Sequence, residues 1–269
     1  MQYRFIALLT DFGEDDFFVA FLKAVIAKIN PSARIIDVTH HIPSFNLKAA
    51  GFILSSCYRY FPAGTIFLTV VDPGVGSSRR IILAETKDYF FIAPDNGVLS
   101  WILEEEDEVR LRELKNKKYF LPESSRTFEG RDKMAPAAAW LSKGVPSIEF
   151  GPPLSMFKKF TIQKPMLRRK EIVGHVVYTD KFGNLITDIP AKMLDLLRKQ
   201  SGKRSLILFR GKKKVAAIKQ SYSDVKKGES LFLIGSLGEI EIAVREDSAS
   251  RKLRIKNGDT VKISARSRK

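Results

Sequence analysis

A carboxylate and two guanidinium groups stand close together in the stretch Val70-Val71-Asp72-Pro73-Gly74-Val75-Gly76-Ser77-Ser78-Arg79-Arg80. An apolar run over residues 65–71 is broken there by Asp72, a proline and two glycines, and a second apolar run follows at 81–84. A charge pair on a Gly-rich turn at a strand end is a common location for chemistry in α/β proteins. A guanidinium favours a bound anion, and a carboxylate beside it can orient a nucleophile or take its proton. The same residues also suit a tight connection with solvated arginines. What surrounds them decides between the two.

The elements that must position this stretch alternate. Residues 5–9 are fully apolar, as in a buried parallel strand, and end in the polar loop Thr10-Asp11-Phe12-Gly13-Glu14-Asp15-Asp16. Residues 17–29 carry apolar side chains at helical spacing and stop before Pro31. A second strand at 35–38 leads into Thr39-His40-His41, and 47–60 reads as a second helix. The strand ending at Asp72 comes next, and a further strand at 90–93 closes on Pro94-Asp95-Asn96-Gly97. This β-α-β-α-β order predicts a mostly parallel sheet with right-handed crossovers and with ligands outside the carboxyl ends of its strands. Asp11, Asp72 and Asp95 all fall at such ends. Arg126 to Asp132 forms a polar, Gly-containing loop ahead of a helix at 135–141, with Pro136 suited to its first turn.

Composition shifts after Gly151-Pro152-Pro153, and the boundary between two domains, 1–160 and 161–269, is placed in the Pro- and Lys-containing linker there. Beyond it the segments 172–178, 205–209, 215–218, 231–234, 239–244 and 260–263 are short and strand-like. They predict a small barrel or sandwich, with one helix between Asp188 and Gln200 that starts near Pro190. Basic clusters concentrate in this half: Arg168-Arg169-Lys170, Lys212-Lys213-Lys214, Arg251-Lys252 and Arg266 to Lys269.

The chain has 269 residues, of which 44% are hydrophobic and 10% aromatic, enough for ample cores. Its single cysteine, Cys57, excludes an internal disulfide framework and a Cys-rich zinc site, and suits a small buried side chain. No run approaches the length of a membrane span, and the first residues lack a signal-peptide pattern, so a soluble cytoplasmic protein is expected. The formal charge of +16 fits either an anionic partner such as nucleic acid or a Lys-rich surface of the kind found in thermophiles. Neither an RNA-binding aromatic signature nor a Walker lysine or GxGxxG phosphate loop occurs. His40, His41 and His175 have no metal-ligand spacing and are read as satisfied polar histidines.

Several motifs, in order, resemble one family. Thr10-Asp11-Phe12-Gly13, Asp37-Val38-Thr39-His40, Val70 to Gly76, Ala93-Pro94-Asp95-Asn96-Gly97 and Thr127-Phe128-Glu129-Gly130-Arg131-Asp132 are similar to those of the S-adenosyl-L-methionine hydroxide adenosyltransferases, relatives of fluorinase and chlorinase. Phe182-Gly183-Asn184 and Gly235-Ser236-Leu237-Gly238 extend the resemblance into the second half. It implies an N-terminal α/β domain, a C-terminal β-barrel and a homotrimer whose sites lie between one subunit's first domain and its neighbour's second. The implied reaction is attack of a water-derived hydroxide on ribose C5′ of S-adenosyl-L-methionine, giving adenosine and L-methionine, with no cofactor and no metal.

The family's water-activating Asp, Arg and His fall on Asp72, Arg79 and Glu129, so the third position departs from the pattern. Glu129 is expected to act as a base if burial raises its pKa, or else to add negative charge and change the rate or the nucleophile. Arg80 is expected to be a bystander. The resemblance further implies that Asp11 receives the ribose hydroxyls, that Phe45 stacks on the adenosyl group and that Asn184 meets the adenine edge. Asp16, Asp180 and Ser236 are implied at the methionine end, with Phe128 and Phe182 also in contact with the substrate. The competing readings are an adenosyl-binding protein without turnover, a halide-dependent adenosyl transferase, and nucleic-acid binding through the basic half.

Overall fold

A computed structural model of the chain describes residues 5–168, 170–202 and 204–266. Arg169 and residues 267–269, which belong to two of the basic clusters, lie outside the described residues, as do the first four residues and Lys203. The chain divides into two compact units, Met1–Thr161 and Ile162–Lys269.

The first unit carries β1 (Phe5–Thr10), α1 (Phe18–Ile29), β2 (Arg34–Thr39), α2 (Leu47–Cys57), β3 (Ile66–Val70), β4 (Ile81–Glu85), β5 (Phe90–Pro94), α3 (Ser100–Glu105), β6 (Arg110–Glu113) and α4 (Ala135–Ser142). Its sheet has the order β2-β1-β3-β5-β4-β6. The first four of these strands run parallel, while β4 is antiparallel to both β5 and β6. β1 and β3 are apolar apart from the buried Thr10 and Thr69, because helices cover both faces of the sheet. Ile6, Leu8, Ile66 and Leu68 face Leu22 and Ile26 of α1 and the alanines of α4. On the other side Phe67 and Phe91 stack at 5.1 Å, with Tyr58 edge-on to both. The three consecutive alanines Ala137–Ala139 are fully buried, which lets α4 approach the sheet closely. The helix read over 47–60 is α-helical to Cys57 and ends in a 3₁₀ turn, Tyr58–Tyr60.

Gly51 sits within α2, where glycine is normally unfavourable by about 1 kcal/mol relative to alanine. A Cβ there would lie 2.6 Å from both the Trp101 ring and the Val98 carbonyl oxygen. Gly51→Ala is therefore expected to destabilise the protein by roughly 1–3 kcal/mol despite its better helix propensity, because overpacking outweighs it. Chemical denaturation measures this.

The second unit carries β7 (Met166–Arg168), β8 (Glu171–Thr179), β9 (Leu185–Pro190), α5 (Ala191–Ser201), β10 (Ser205–Arg210), β11 (Lys213–Ile218), β12 (Ser230–Ile234), β13 (Glu239–Val244), α6 (Ala249–Leu253) and β14 (Thr260–Arg266). The order β14-β10-β11-β12-β13-β9-β8 closes through β14–β8 pairing into a seven-stranded barrel, with β7 added beside β8. Alternate residues of β8 and β9 point inward, and Ile172, Val176, Leu185, Phe232, Ile242 and Ile263 fill the core with Leu194 and Leu197 of α5. Three elements add to the expected set in this unit. They are β7, β9, which runs through Asp188 to Pro190 where the expected helix then begins, and the second helix α6. Among the described residues no helix is long and apolar enough to cross a membrane.

Candidate active site

β3 delivers Asp72. The strand is buried up to Val71, and Asn96 Nδ2, from the motif after β5, donates to the Val71 carbonyl at 2.9 Å to fix its end. The chain then turns back on itself. Gly74 N donates to Asp72 Oδ1 at 3.2 Å and Val75 N to the Asp72 carbonyl at 3.3 Å. Gly76 has φ +78°, and a Cβ there would lie 2.7 Å from the Arg126 carbonyl oxygen, so the close approach of the 124–129 loop needs glycine as much as the turn does. The turn brings Arg79 back onto Asp72. Its Nε donates to both carboxylate oxygens at 2.7 Å, and Nη2 also bonds Oδ2.

Glu129 arrives from the other side. It precedes a π-helical turn, Gly130–Met134, that runs straight into α4. A Cβ on Gly130 would lie 2.9 Å from Val70 Cγ1, so this glycine lets the segment lie directly on the end of β3. Asp132, fully buried, anchors the loop by accepting from Ser125 N at 2.6 Å and Arg131 Nε at 2.6 Å. Glu129 Oε2 then accepts from Arg79 Nη2 at 2.5 Å, while Oε1 pairs with Lys133 Nζ. The Asp72, Arg79 and Glu129 side chains are only 7%, 4% and 9% exposed. One guanidinium is thus clamped between two buried carboxylates. Its Nη1 is buried with no hydrogen-bond partner among the described residues.

Charge explains what each group can do. Burial works to raise the Glu129 carboxyl, but the Lys133 ammonium and Arg79 guanidinium outweigh it and hold it below the usual carboxylate value of 4.5. The expectation of a base with a raised pKa is therefore corrected: two bound cations override burial. Arg79 is held charged more firmly than usual, since Asp72 and Glu129 outweigh the effect of its own burial. Asp11 is raised, by burial first and also by the nearby Asp72 charge, against the lowering effect of backbone donors. A depressed pKa stabilises the fold above the ordinary value, and that stability is lost as pH falls through the folded value. Glu129 accordingly stays ionised above the ordinary carboxylate value. Any acid limb of kcat/KM in that range is expected to persist unchanged in Glu129→Gln, which a pH–rate profile tests.

The neighbouring positions divide. Asp11, just after β1, accepts from Phe45 N at 2.8 Å. Phe45 itself has φ +64° and is 66% exposed, a strained backbone for a bulky residue that presents its ring outward. Phe128 packs edge-on to Phe12 and Phe18 at 5.7 and 5.4 Å, with the Arg131 guanidinium 5.3 Å from its ring centre. Asp16 is exposed ahead of α1. Asp95 stands at a strand end as expected but does not join Asp72. It is buried and accepts from Arg80 Nε at 2.9 Å and from Lys158 N at 2.7 Å. Arg80 is therefore a structural partner of Asp95, outside the Asp72–Arg79–Glu129 chain. Two of the histidines have a polar partner for one ring nitrogen, and the third, His41, is exposed. His40 Nδ1 lies 2.9 Å from Thr10 Oγ1 and His175 Nδ1 2.9 Å from Asp188 Oδ2. Among the described residues no group of three or more His, Cys, Asp or Glu side chains is placed to hold a metal ion.

In the barrel unit, Asp180, Phe182, Asn184 and Ser236 line one cleft of about 830 Å³. Asp180 accepts from the backbone of Phe182 at 2.9 Å and of Asn184 at 2.8 Å, and from Asn184 Nδ2 at 3.1 Å. This leaves the Asn184 side-chain oxygen, Oδ1, free of that bond. Tyr222 and Glu241 line the same cleft, and the Tyr222 hydroxyl donates to Glu241 Oε1 at 2.5 Å. Sequence reasoning missed this pair. The only signal was a glutamate within β13, on the face opposite the core residues Ile240 and Ile242.

The model of the SAM hydroxide adenosyltransferase N-terminal domain matches residues 6–151, and that of the C-terminal domain matches residues 174–262. The chain is 33% identical over 267 residues to the (R)-S-adenosyl-L-methionine hydrolase of Thermus thermophilus, covering 97% of this chain and 99% of that one. It is 33% identical over 263 residues to the enzyme of the same name from Salinispora tropica, covering 97% of each. It also resembles the crystal structure of an uncharacterized conserved protein from Thermotoga maritima, with a TM-score of 0.89, 40% identity, and coverage of 96% of this chain and 99% of that chain. The chain belongs to the SAM hydroxide adenosyltransferase family.

Proposed function

We propose that this protein hydrolyses S-adenosyl-L-methionine to adenosine and L-methionine, without a cofactor, as a cytoplasmic homotrimer. The observation that carries the reading is the buried Asp72–Arg79–Glu129 chain at the carboxyl end of β3, with Arg79 Nη1 left unpaired. The relatives named hydrolases support the choice of substrate and reaction.

The chemistry fits. A sulfonium leaves as a neutral thioether, so the leaving group needs no acid. The new bond joins a water oxygen to ribose C5′, the C5′–S bond breaks with its electron pair passing to sulfur, and one water proton is released. The difficult partner is the nucleophile, because water at neutral pH is weak. A guanidinium with an unused buried donor favours the hydroxide form, and Asp72 orients the attacking oxygen and takes its proton. Burial keeps competing solvent away. Glu129, already ionised and shared between two cations, acts as a fixed charge that holds Arg79 in place.

Binding follows the chemistry of the substrate. Asp11 keeps Oδ1 for the ribose hydroxyls, and Phe45 offers its outward ring to the adenosyl group. Asn184 presents its amide oxygen to the adenine edge. Asp16 and Asp180 supply carboxylates for the ammonium of the methionine end, with Ser236 beside them and Phe128 and Phe182 as apolar contacts. Incubation of the purified protein with S-adenosyl-L-methionine, followed by chromatography, tests the reading. Adenosine and methionine should appear in equal amounts. Tight binding of adenosine with no turnover would replace the hydrolase with a binding protein.

A further inference from the structure

We propose that Lys133 is a positioning residue of this site, the counter-charge that allows a glutamate to stand beside Arg79 without repelling an anionic nucleophile. The inference rests on the hydrolase reading above and adds a residue to it.

Charge counting motivates it. Asp72, Arg79 and Glu129 alone sum to one net negative charge in a region where all three side chains are at least nine-tenths buried. A hydroxide entering such a site meets repulsion that low surrounding polarity strengthens. Lys133 brings the sum to zero. It does so locally, because Glu129 gives one oxygen to each cation: Oε2 to Arg79 Nη2 at 2.5 Å and Oε1 to Lys133 Nζ. That division also fixes the carboxylate's rotation, so it cannot turn to take a second donor from Arg79.

The local fold places Lys133 for this purpose. Glu129 and Lys133 are four residues apart and meet across the π-helical turn that opens α4. The lysine side chain is 28% exposed, against 9% for its partner, so its ammonium reaches Glu129 from a recess of about 420 Å³. The other charged groups lining this recess are already committed or lie at its rim. Arg80 is held by Asp95, Lys115 lies 3.5 Å from Glu113, and Lys117 is exposed. None of the hydrogen bonds or ion pairs of these groups reaches Glu129, so removal of Lys133 leaves Arg79 as its single cationic partner among the described residues.

Two measurements on the full-length protein test this together: kcat and KM for S-adenosyl-L-methionine, and a carboxyl-¹³C NMR titration of Glu129, assigned by its absence in Glu129→Gln. Lys133→Met is expected to lower kcat by roughly tenfold with KM changed by less than about twofold, as for an interaction that matters in the transition state. The Glu129 midpoint should move upward in the same variant. Lys133→Arg should restore both, while Lys133→Gln, which keeps a polar side chain of similar reach, should behave like Met and covers the case in which Met perturbs folding. An unmoved Glu129 midpoint in both neutral variants, or a wild-type kcat in them, would overturn the role of Lys133. If the wild type forms no adenosine, the hydrolase reading fails, and the NMR titration still decides whether Lys133 is the counter-charge of Glu129.

Discussion

Asp72→Ala is expected to reduce adenosine formation by about a thousandfold or more, while leaving the protein folded. Oriented general-base catalysis contributes roughly 10²–10⁴-fold in enzymes, and here the same carboxylate also holds the guanidinium beside it. Asp72 accepts two bonds from Arg79 Nε at 2.7 Å each, so its removal frees Arg79 to swing wholly onto Glu129. The nucleophile would lose its orienting group and the nearby cation its alignment at once. Because Asp72 also accepts from Gly74 N, Asp72→Asn can keep the turn and separates the two effects. The amide should retain the fold and still lose most of the rate, since it neither accepts a proton nor anchors a cation. Single-turnover kinetics with matched thermal unfolding checks both variants. A rate within threefold of wild type in Asp72→Asn, on the order of 1 kcal/mol or less of barrier, would remove Asp72 from the mechanism.

The second large effect is that of Arg79. Arg79→Met leaves two carboxylates, 7% and 9% exposed, facing the place of a lost cation. Breaking a buried pair by removing one partner commonly costs about 3–5 kcal/mol, because the remaining charge is buried without compensation. Stability and activity should therefore fall together, unlike in Asp72→Asn. Arg79→Lys is not expected to rescue the rate. A single ammonium cannot reproduce the fork that spans Asp72 and Glu129. The double variant Arg79→Met/Glu129→Gln should recover part of the stability and none of the activity, which denaturation and product analysis on the same samples would reveal.

The sequence makes some of this legible and hides the rest for physical reasons. Asp72 and Arg79 are seven residues apart on one Gly-rich turn, so a local pattern suffices to pair them. Asp95 looks the same from its sequence context, yet it anchors Arg80 and Lys158, because the direction of a side chain at a strand end depends on which strands lie beside it. That order is not local: β4 inserts antiparallel between β5 and β6, which a β-α-β alternation does not foretell. In the barrel the alternating strands are readable, but β9 is masked by inward Thr187, which donates to the Ile240 carbonyl at 2.8 Å, and by Asp188, which is bound to His175. The ionisation of Glu129 was open to opposite answers from sequence, since burial and cation pairing push in opposite directions. Only the placement of Lys133 and Arg79 decides the sign.

In the proposed reaction water, activated at Asp72 and Arg79, attacks ribose C5′. Turnover in water enriched in heavy oxygen, read by mass spectrometry of the nucleoside product, tests it most directly. The expected products are adenosine carrying one heavy oxygen at its 5′-hydroxyl and equimolar L-methionine without the label, whether or not halide salts are present. A 5′-halogenated nucleoside, unlabelled adenosine, or no nucleoside product at all would contradict it.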